Sequence, residues 1–461
     1  MSLPRTFRRG VSCALLLTGT AFAQTTLATN NGGNTGPQSG GVKDPGPRGG
    51  SASAGAPLAG LSPIQLATFA DGKNRFQEVE AVSPNGLGPR FNSNSCSSCH
   101  AQPAIGGSSP QSNPQIAFAN GRNQLPSFIQ ANGPVREVRF IRNPDGTPDG
   151  GVHALFVIAG RPDAPAGCTV TQENFSNTSN IAMRIPTPTF GLGLIEAIPD
   201  IVLAQNLAAG AGLKNQLGIS GRLNHSGNDG TVTRFGWKAQ NKSLTIFAGE
   251  AYNVEMGITN FLFPNERDDT ANCSPVASPQ DGFSLTSFGP AALDDVSAFA
   301  AYMRFLAPPT PSAAGPNAAA TSAADPTVAR GLALFSTLGC AACHTVTLQT
   351  GPSSLGPALS NQTIHPFSDF ALHGMGPGLA DQVSQGQAAG DEFRTAPLWG
   401  LGQRYYLLHD GRTTDLLQAI AAHASSSNGQ FGASEANAVI GNFNGLSDSD
   451  KQALLNFLRS L

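Results

Sequence analysis

The sequence predicts a mainly α protein built from a duplicated helical unit, its first copy enlarged by loops and short β insertions. Three observations predict this. The pattern C-x-x-C-H occurs twice, at Cys96-Ser-Ser-Cys99-His100 and at Cys340-Ala-Ala-Cys343-His344. Helical patterns open and close the stretch around each motif. Further segments between motif and closing helix match each other in the same order, as a duplicated unit requires.

Length and composition set the frame. A chain of 461 residues can hold two or three domains with real cores. Only 12% of residues are charged, while 54 are Gly and 34 are Pro, which points to a loop-rich fold rather than a long-helix bundle. A net charge of −3 leaves no electrostatic footprint for nucleic acid.

Residues 1–23 read as a signal peptide: Arg5, Arg8 and Arg9, then the apolar "VSCALLLTGTAFA", then an A-x-A site at Ala21-Phe22-Ala23. That apolar run is too short to span a membrane, so the mature protein is expected to be exported to a bacterial periplasm and not to cross a membrane. Residues 24–60 are rich in Gly, Ser, Asn and Pro and are expected to be a disordered tether. A similar stretch at 308–325 reads as a linker, which leaves an N-terminal domain at 61–307 and a C-terminal domain at 326–461.

Within each domain the elements follow from periodicity. Helices are expected at 62–77 and 325–339. In the closing segment "LDDVSAFAAYMRFLA", Leu293, Val296, Phe299, Ala300, Met303 and Leu306 share a helical face. In "LSDSDKQALLNFLRSL", Leu454, Leu455, Leu458 and Leu461 do the same, after a Ser447/Asp450 start that resembles a capping box. Ala298, Phe299, Tyr302, Met303, Arg304 and Leu306 align without a gap to Ala453, Leu454, Phe457, Leu458, Arg459 and Leu461. "RIPTPTFGLG" at 184–193 matches "RTAPLWGLG" at 394–402, and "WKAQNKSLTIFA" matches "HDGRTTDLLQAI" more faintly. The first copy adds about a hundred residues, with strands expected in "REVRFIR" and "HALFVIAG".

The repeated motif carries the chemistry. One C-x-x-C-H is expected about 0.002 times by chance at these Cys and His frequencies, so two copies demand a cause. A zinc site or a redox dithiol would use the cysteines but leaves both histidines unexplained. A covalent c-type haem explains all three residues, with thiols added to the vinyl groups and the next imidazole under the iron. Two such haems are expected, on Cys96, Cys99 and His100 and on Cys340, Cys343 and His344, with His100 and His344 as proximal iron ligands. Cys168 and Cys273 remain, either as two buried thiols or, in an oxidising compartment, as a disulfide. Such a bond would contribute roughly 4–5 kcal/mol on the chain-entropy picture.

The blocks "GLGPRFNSNSCSSCHAQPAIGGSSP", "RIPTPTFGLGLIEAIPD", "RFGWKAQNKSLTIFAGEAYNVEMGIT" and "FRTAPLWGLGQRYYLLHDGRTTDLLQAIAAH" carry a resemblance over about residues 61–461. They resemble the bacterial di-haem oxidoreductases often labelled thiol oxidoreductases, within the di-haem cytochrome c peroxidase superfamily. The resemblance implies two cytochrome c-like haem domains, one haem for electron transfer and one for peroxide or oxygen chemistry. It implies His423, fourteen residues past His409, as the second axial ligand of the C-terminal iron, with Met375 as the runner-up. It implies Trp237 between the haems, Glu255 as the acid–base group of the N-terminal pocket, and Phe247 where relatives hold a glutamine. Met256 is the competing candidate at the N-terminal iron. Arg184 and Arg394 head the matched segments and are expected to pair with haem propionates; exposed surface arginines are the alternative. A calcium ion between the domains is a further family implication.

The expected activity is electron transfer from a donor of cytochrome c or cupredoxin type, through the C-terminal haem, to a small-molecule oxidant at the N-terminal haem. That oxidant would be hydrogen peroxide. A non-enzymatic di-haem carrier and a haem-dependent oxygenase are the competing readings. The thiol label gains little, since every mature cysteine has another role.

Overall fold

Each half of the chain is closed by a crossed pair of helices, one from its start and one from its end. In the computed structural model, which describes residues 41–119, 121–282, 293–312 and 325–461, these are Pro63–Phe76 with Asp295–Phe305 and Pro326–Thr337 with Asp448–Ser460. The predicted signal peptide, residues 24–40 of the tether and residues 313–324 of the linker lie outside the described residues. All four helices start on side-chain caps. Ser62 and Gln65 form a reciprocal capping box, Asp294 accepts from Ser297 N, Asp325 from Thr327 N, and Ser447 from Asp450 N.

The duplication is visible atom by atom. A Cβ on Gly72 would lie 2.4 Å from Ala298 O, and one on Gly331 would lie 2.2 Å from Ala453 O, so glycine lets the two helices touch in both halves. Ala298 and Ala453 are the residues matched in the sequence. Four residues beyond each glycine, Phe76 and Phe335 set their ring centroids 6.0 and 6.2 Å from the rings of His100 and His344. The matched Gly-Leu-Gly segments repeat the device, with Gly193 against Arg304 O and Gly402 against Arg459 O.

A third correspondence places the junction. Short turns close between Phe235 and Asn241 and between Leu407 and Thr413. Trp237 and His409 stand two residues into these turns, and helices Leu244–Met256 and Leu416–Ala421 begin seven residues later on Ser243 and Asp415 caps. Trp237 and His409 are therefore equivalent residues of the two copies. Their rings meet edge to face at 6.3 Å.

The extra length of the first copy forms small sheets and loops. Strands Val152–His153, Glu137–Phe140 and Ile181–Arg184 make a three-stranded antiparallel sheet that sets Glu137 opposite Arg184. Cys168 and Cys273 form a disulfide.

One expectation needs correction. Residues 42–60 are not a free tether but an extended strap. Asp44 is buried, accepts from Arg459 Nε at 2.9 Å and Nη2 at 2.7 Å, and also accepts from Leu416 N. Arg48 Nε donates to Arg459 O, and Leu58 N donates to Phe305 O. Composition misleads here because the strap is held by backbone and ionic hydrogen bonds, which need few large apolar side chains.

Candidate functional site

Both C-x-x-C-H motifs sit at the wall of a large cavity. The first lies beside Cys96 and His100, and the second beside Cys340, Cys343 and His344. Apolar side chains dominate the walls. Trp237 lines both cavities, and its indole Nε1 donates to Ile185 O at 2.8 Å.

The motif histidines are prepared alike. His100 Nδ1 lies 2.9 Å from Gly107 O, and His344 Nδ1 lies 2.9 Å from Phe367 O. A carbonyl oxygen only accepts, so each Nδ1 carries the proton and each Nε2 keeps its lone pair. Burial lowers both pKa values, His344 to about 4, and leaves neutral rings able to bind a metal. His423, just past helix Leu416–Ala421, lines the second cavity in the same state, with Nδ1 2.7 Å from Ala419 O.

His423 follows His409 by fourteen residues. Fourteen residues past the equivalent Trp237 stands Ala251, in the wall of the first cavity. The second imidazole of one copy is thus a methyl group in the other. The runner-up Met375 lines the second cavity, as do His373 and His409, whereas His365 is outside its wall and contacts Thr347 Oγ1 at 3.0 Å.

The predicted residues of the first pocket come together. Glu255, Phe247 and Met256, all on helix Leu244–Met256, line the cavity with His100. Burial, then the charge of neighbouring Glu137, raises Glu255 to about 8, against a lowering bond from Asn92 Nδ2 at 2.9 Å. The Phe247 ring stacks 6.2 Å from that of Phe235. Sequence reasoning missed an amide in the same wall: Gln240 Oε1 is buried without a hydrogen-bond partner.

The arginines divide differently from the expectation. Arg184 is buried and lines the first cavity, but its guanidinium is engaged by Asp381 Oδ2 at 2.6 Å and Gln385 Oε1 at 2.5 Å. Its counter-ion is a carboxylate of the other half, not an open position for a propionate. Lys238, fully buried, shares Asp381 at 3.1 Å and donates to Ala389 O and Glu392 O. Arg394 lines the second cavity, and its guanidinium donates to Gly236 O and Thr395 O. Arg404, missed in the sequence, lines that cavity too. Burial lowers both to about 10, and among the described residues neither has an acidic partner. Arg136 lines the first cavity, where its Nη1 donates to Asp410 O beside that residue's charge and its buried Nε has no hydrogen-bond partner.

These features fit a covalently held porphyrin. Paired thiols, an imidazole with a free Nε2 and apolar walls suit the macrocycle, and unanswered buried cations suit its carboxylates. Among the described residues no cluster suits a separate metal ion, and no helix is long and apolar enough to cross a membrane.

No curated protein matches the chain. Among solved structures, the di-haem peroxidase BthA from Burkholderia thailandensis E264 is 16% identical, over 92% of this chain and 95% of that one, at a TM-score of 0.36. A MauG-like protein associated with microbial copper homeostasis is 16% identical, over 60% and 90%, at 0.30. Hydrazine synthase of Kuenenia stuttgartiensis is 14% identical, over 95% and 100%, at 0.33. The family model described as "Di-haem oxidoreductase, putative peroxidase" matches residues 147–461, a span that includes Trp237, Glu255, the second motif and His423. That match covers more than half of the sequence, and the chain belongs to this family of di-haem oxidoreductases.

Proposed function

We propose that this enzyme reduces hydrogen peroxide in the periplasm with electrons taken in at its C-terminal half. Two covalently bound c-type haems would supply the redox chemistry, one as an electron carrier and one with a position open to peroxide. Cys340, Cys343 and His344 would hold the first, with His423 as its second axial ligand. Cys96, Cys99 and His100 would hold the second. The observation that carries the reading is the pair of equivalent positions occupied by His423 and Ala251.

The other residues take roles consistent with their surroundings. Arg394 and Arg404 answer propionates in the second cavity, and Arg136 does so in the first. Trp237, in the wall of both cavities, bridges them. Reduction of peroxide to two waters consumes two electrons and two protons, and Glu255 is the side chain able to hold one proton at the wall of the first cavity. The electron donor would be a small cytochrome c or cupredoxin. Calcium has no support in this reading.

Anaerobic titration tests it. Fully reduced protein should be reoxidised by one equivalent of hydrogen peroxide with release of water, and mass spectrometry should find two covalent haems. Failure of peroxide to reoxidise the reduced protein would sink the proposal.

A further inference from the structure

In the first copy, Glu196 ends helix Leu192–Glu196 and joins two further elements. Its Oε1 accepts from Leu244 N at 2.8 Å, at the start of helix Leu244–Met256, and from Arg304 Nη2 at 3.2 Å. Its Oε2 accepts from Arg304 Nε at 2.7 Å, on the closing helix. The second copy keeps both donors, since Leu416 and Arg459 are the equivalents of Leu244 and Arg304. It lacks the acid. Counted from the matched Gly-Leu-Gly segments, Tyr405 stands where Glu196 does. The helical turn also stops earlier there, at Gln403, with Arg404 extended at φ −82° and ψ 133°.

Asp44 of the strap fills the gap, atom for atom. Its Oδ2 accepts from Leu416 N at 2.8 Å and from Arg459 Nη2 at 2.7 Å, and its Oδ1 accepts from Arg459 Nε at 2.9 Å. The pair is also the more deeply buried of the two. The side chains of Asp44 and Arg459 are 4% and 3% exposed, against 20% and 22% for Glu196 and Arg304. A guanidinium buried this far needs its anion. Arg459 Nη1 donates to Arg404 O at 3.1 Å, and its Nη2 donates to Thr414 O at 3.2 Å. The anion thus fixes both the segment that carries Arg404 and the start of the helix that leads to His423. That helix, Leu416–Ala421, has only 6 residues and cannot hold itself without tertiary contacts, whereas its counterpart has 13.

We infer that Asp44 is a positioning residue of the second cavity: the strap supplies the carboxylate that the second copy lacks, and so sets helix Leu416–Ala421, and with it His423, at the cavity wall. The inference rests on the reading of His423 as an axial ligand for its effect at the iron, but not for the contacts themselves. It makes a segment that precedes the first domain a working part of the second.

EPR and hydrogen exchange on the haem-loaded protein test it, with no turnover involved. Asp44→Ala should keep two covalent haems but convert roughly half or more of the low-spin signal to high spin. Amide exchange across Leu416–Ala421 should rise about tenfold, with helix Leu244–Met256 unchanged. Glu196→Ala is the mirror variant: it should loosen Leu244–Met256 and leave the low-spin signal intact. A full low-spin signal in Asp44→Ala, where His423→Ala abolishes that signal, overturns the proposal. So does equal loosening of both helices, the mark of a general loss of structure. If His423→Ala leaves the signal in place, the axial reading fails instead, and the exchange of Leu416–Ala421 alone decides the part played by the strap. Asp44→Asn, which removes the charge but keeps the size, decides by the same measures if Asp44→Ala does not accumulate.

Discussion

The two cavities are copies that diverged at a few positions. Each has the same crossed helices, a glycine at the crossing, a phenylalanine beside the motif histidine and an Nδ1–carbonyl bond. They differ at one equivalent place, where His423 lines one cavity and Ala251 the other, and in some of their acids. The first half holds two buried carboxyls near the protonated state. Glu80 is raised to about 7 and Asp281 to about 6, both chiefly by burial. The second half holds its acids ionised. Burial would raise Glu435, but the bond to His373 Nδ1 at 2.8 Å outweighs it and leaves it at about 2. Asp369, on His373 Nε2 at 3.1 Å, is also lowered despite burial.

Exchange of the axial residues should have the largest effect. His423→Ala should convert the C-terminal haem wholly to high spin, and Ala251→His should convert the N-terminal haem to low spin and abolish its reaction with peroxide. Optical and EPR spectra of the two variants read this directly. If His423→Ala leaves a low-spin signal, the ligand lies elsewhere in the cavity, with Met375 next.

Glu255→Gln should lower peroxide turnover by about 10²–10⁴-fold, the usual contribution of a positioned acid–base group, with both spin states unchanged. A steady-state assay with retained spectra checks it. Trp237→Phe should slow transfer between the haems by about tenfold, equivalent to about 1.4 kcal/mol in the barrier, without loss of either haem. Stopped-flow mixing of half-reduced protein would show this, and an unchanged rate would remove Trp237 from the route.

Smaller in size, the Glu80 and Asp281 sites and the Glu435 site should respond to pH with opposite signs. Glu80 and Asp281 have folded pKa values above their unfolded ones. Their stabilisation is complete below about pH 4 and is lost as pH rises through 6 and 7. Glu435 lies below its unfolded value, so its contribution is present above about pH 4 and lost as pH falls toward 2. Hydrogen exchange should therefore loosen the Tyr252–Glu80 contact first on mild alkalinisation and the His373 region first on acidification. The same order at both extremes would contradict the contrast.

Much of this was legible in the sequence where the signal was local. The C-x-x-C-H motifs, the capped closing helices and the matched glycines are short-range patterns, and the duplication followed from their order. Phe247, Glu255 and Trp237 came from resemblance, and all three line the first cavity. What stayed hidden depends on distant pairing. Arg184 meets Asp381 across 197 residues, and Asp44 meets Arg459 across 415. No local pattern marks either pair. Arg404 stands out only once burial shows it without an acidic partner among the described residues. Ala251 could have been found by counting from Trp237, but an alanine in a helix attracts no notice until its partner copy carries a ligand.

The most direct test of the whole account is the low-temperature EPR spectrum of the resting, fully oxidised protein. The account predicts one high-spin and one low-spin ferric haem in equal amounts, the high-spin signal alone changing when peroxide is added. Two low-spin signals indifferent to peroxide would contradict it.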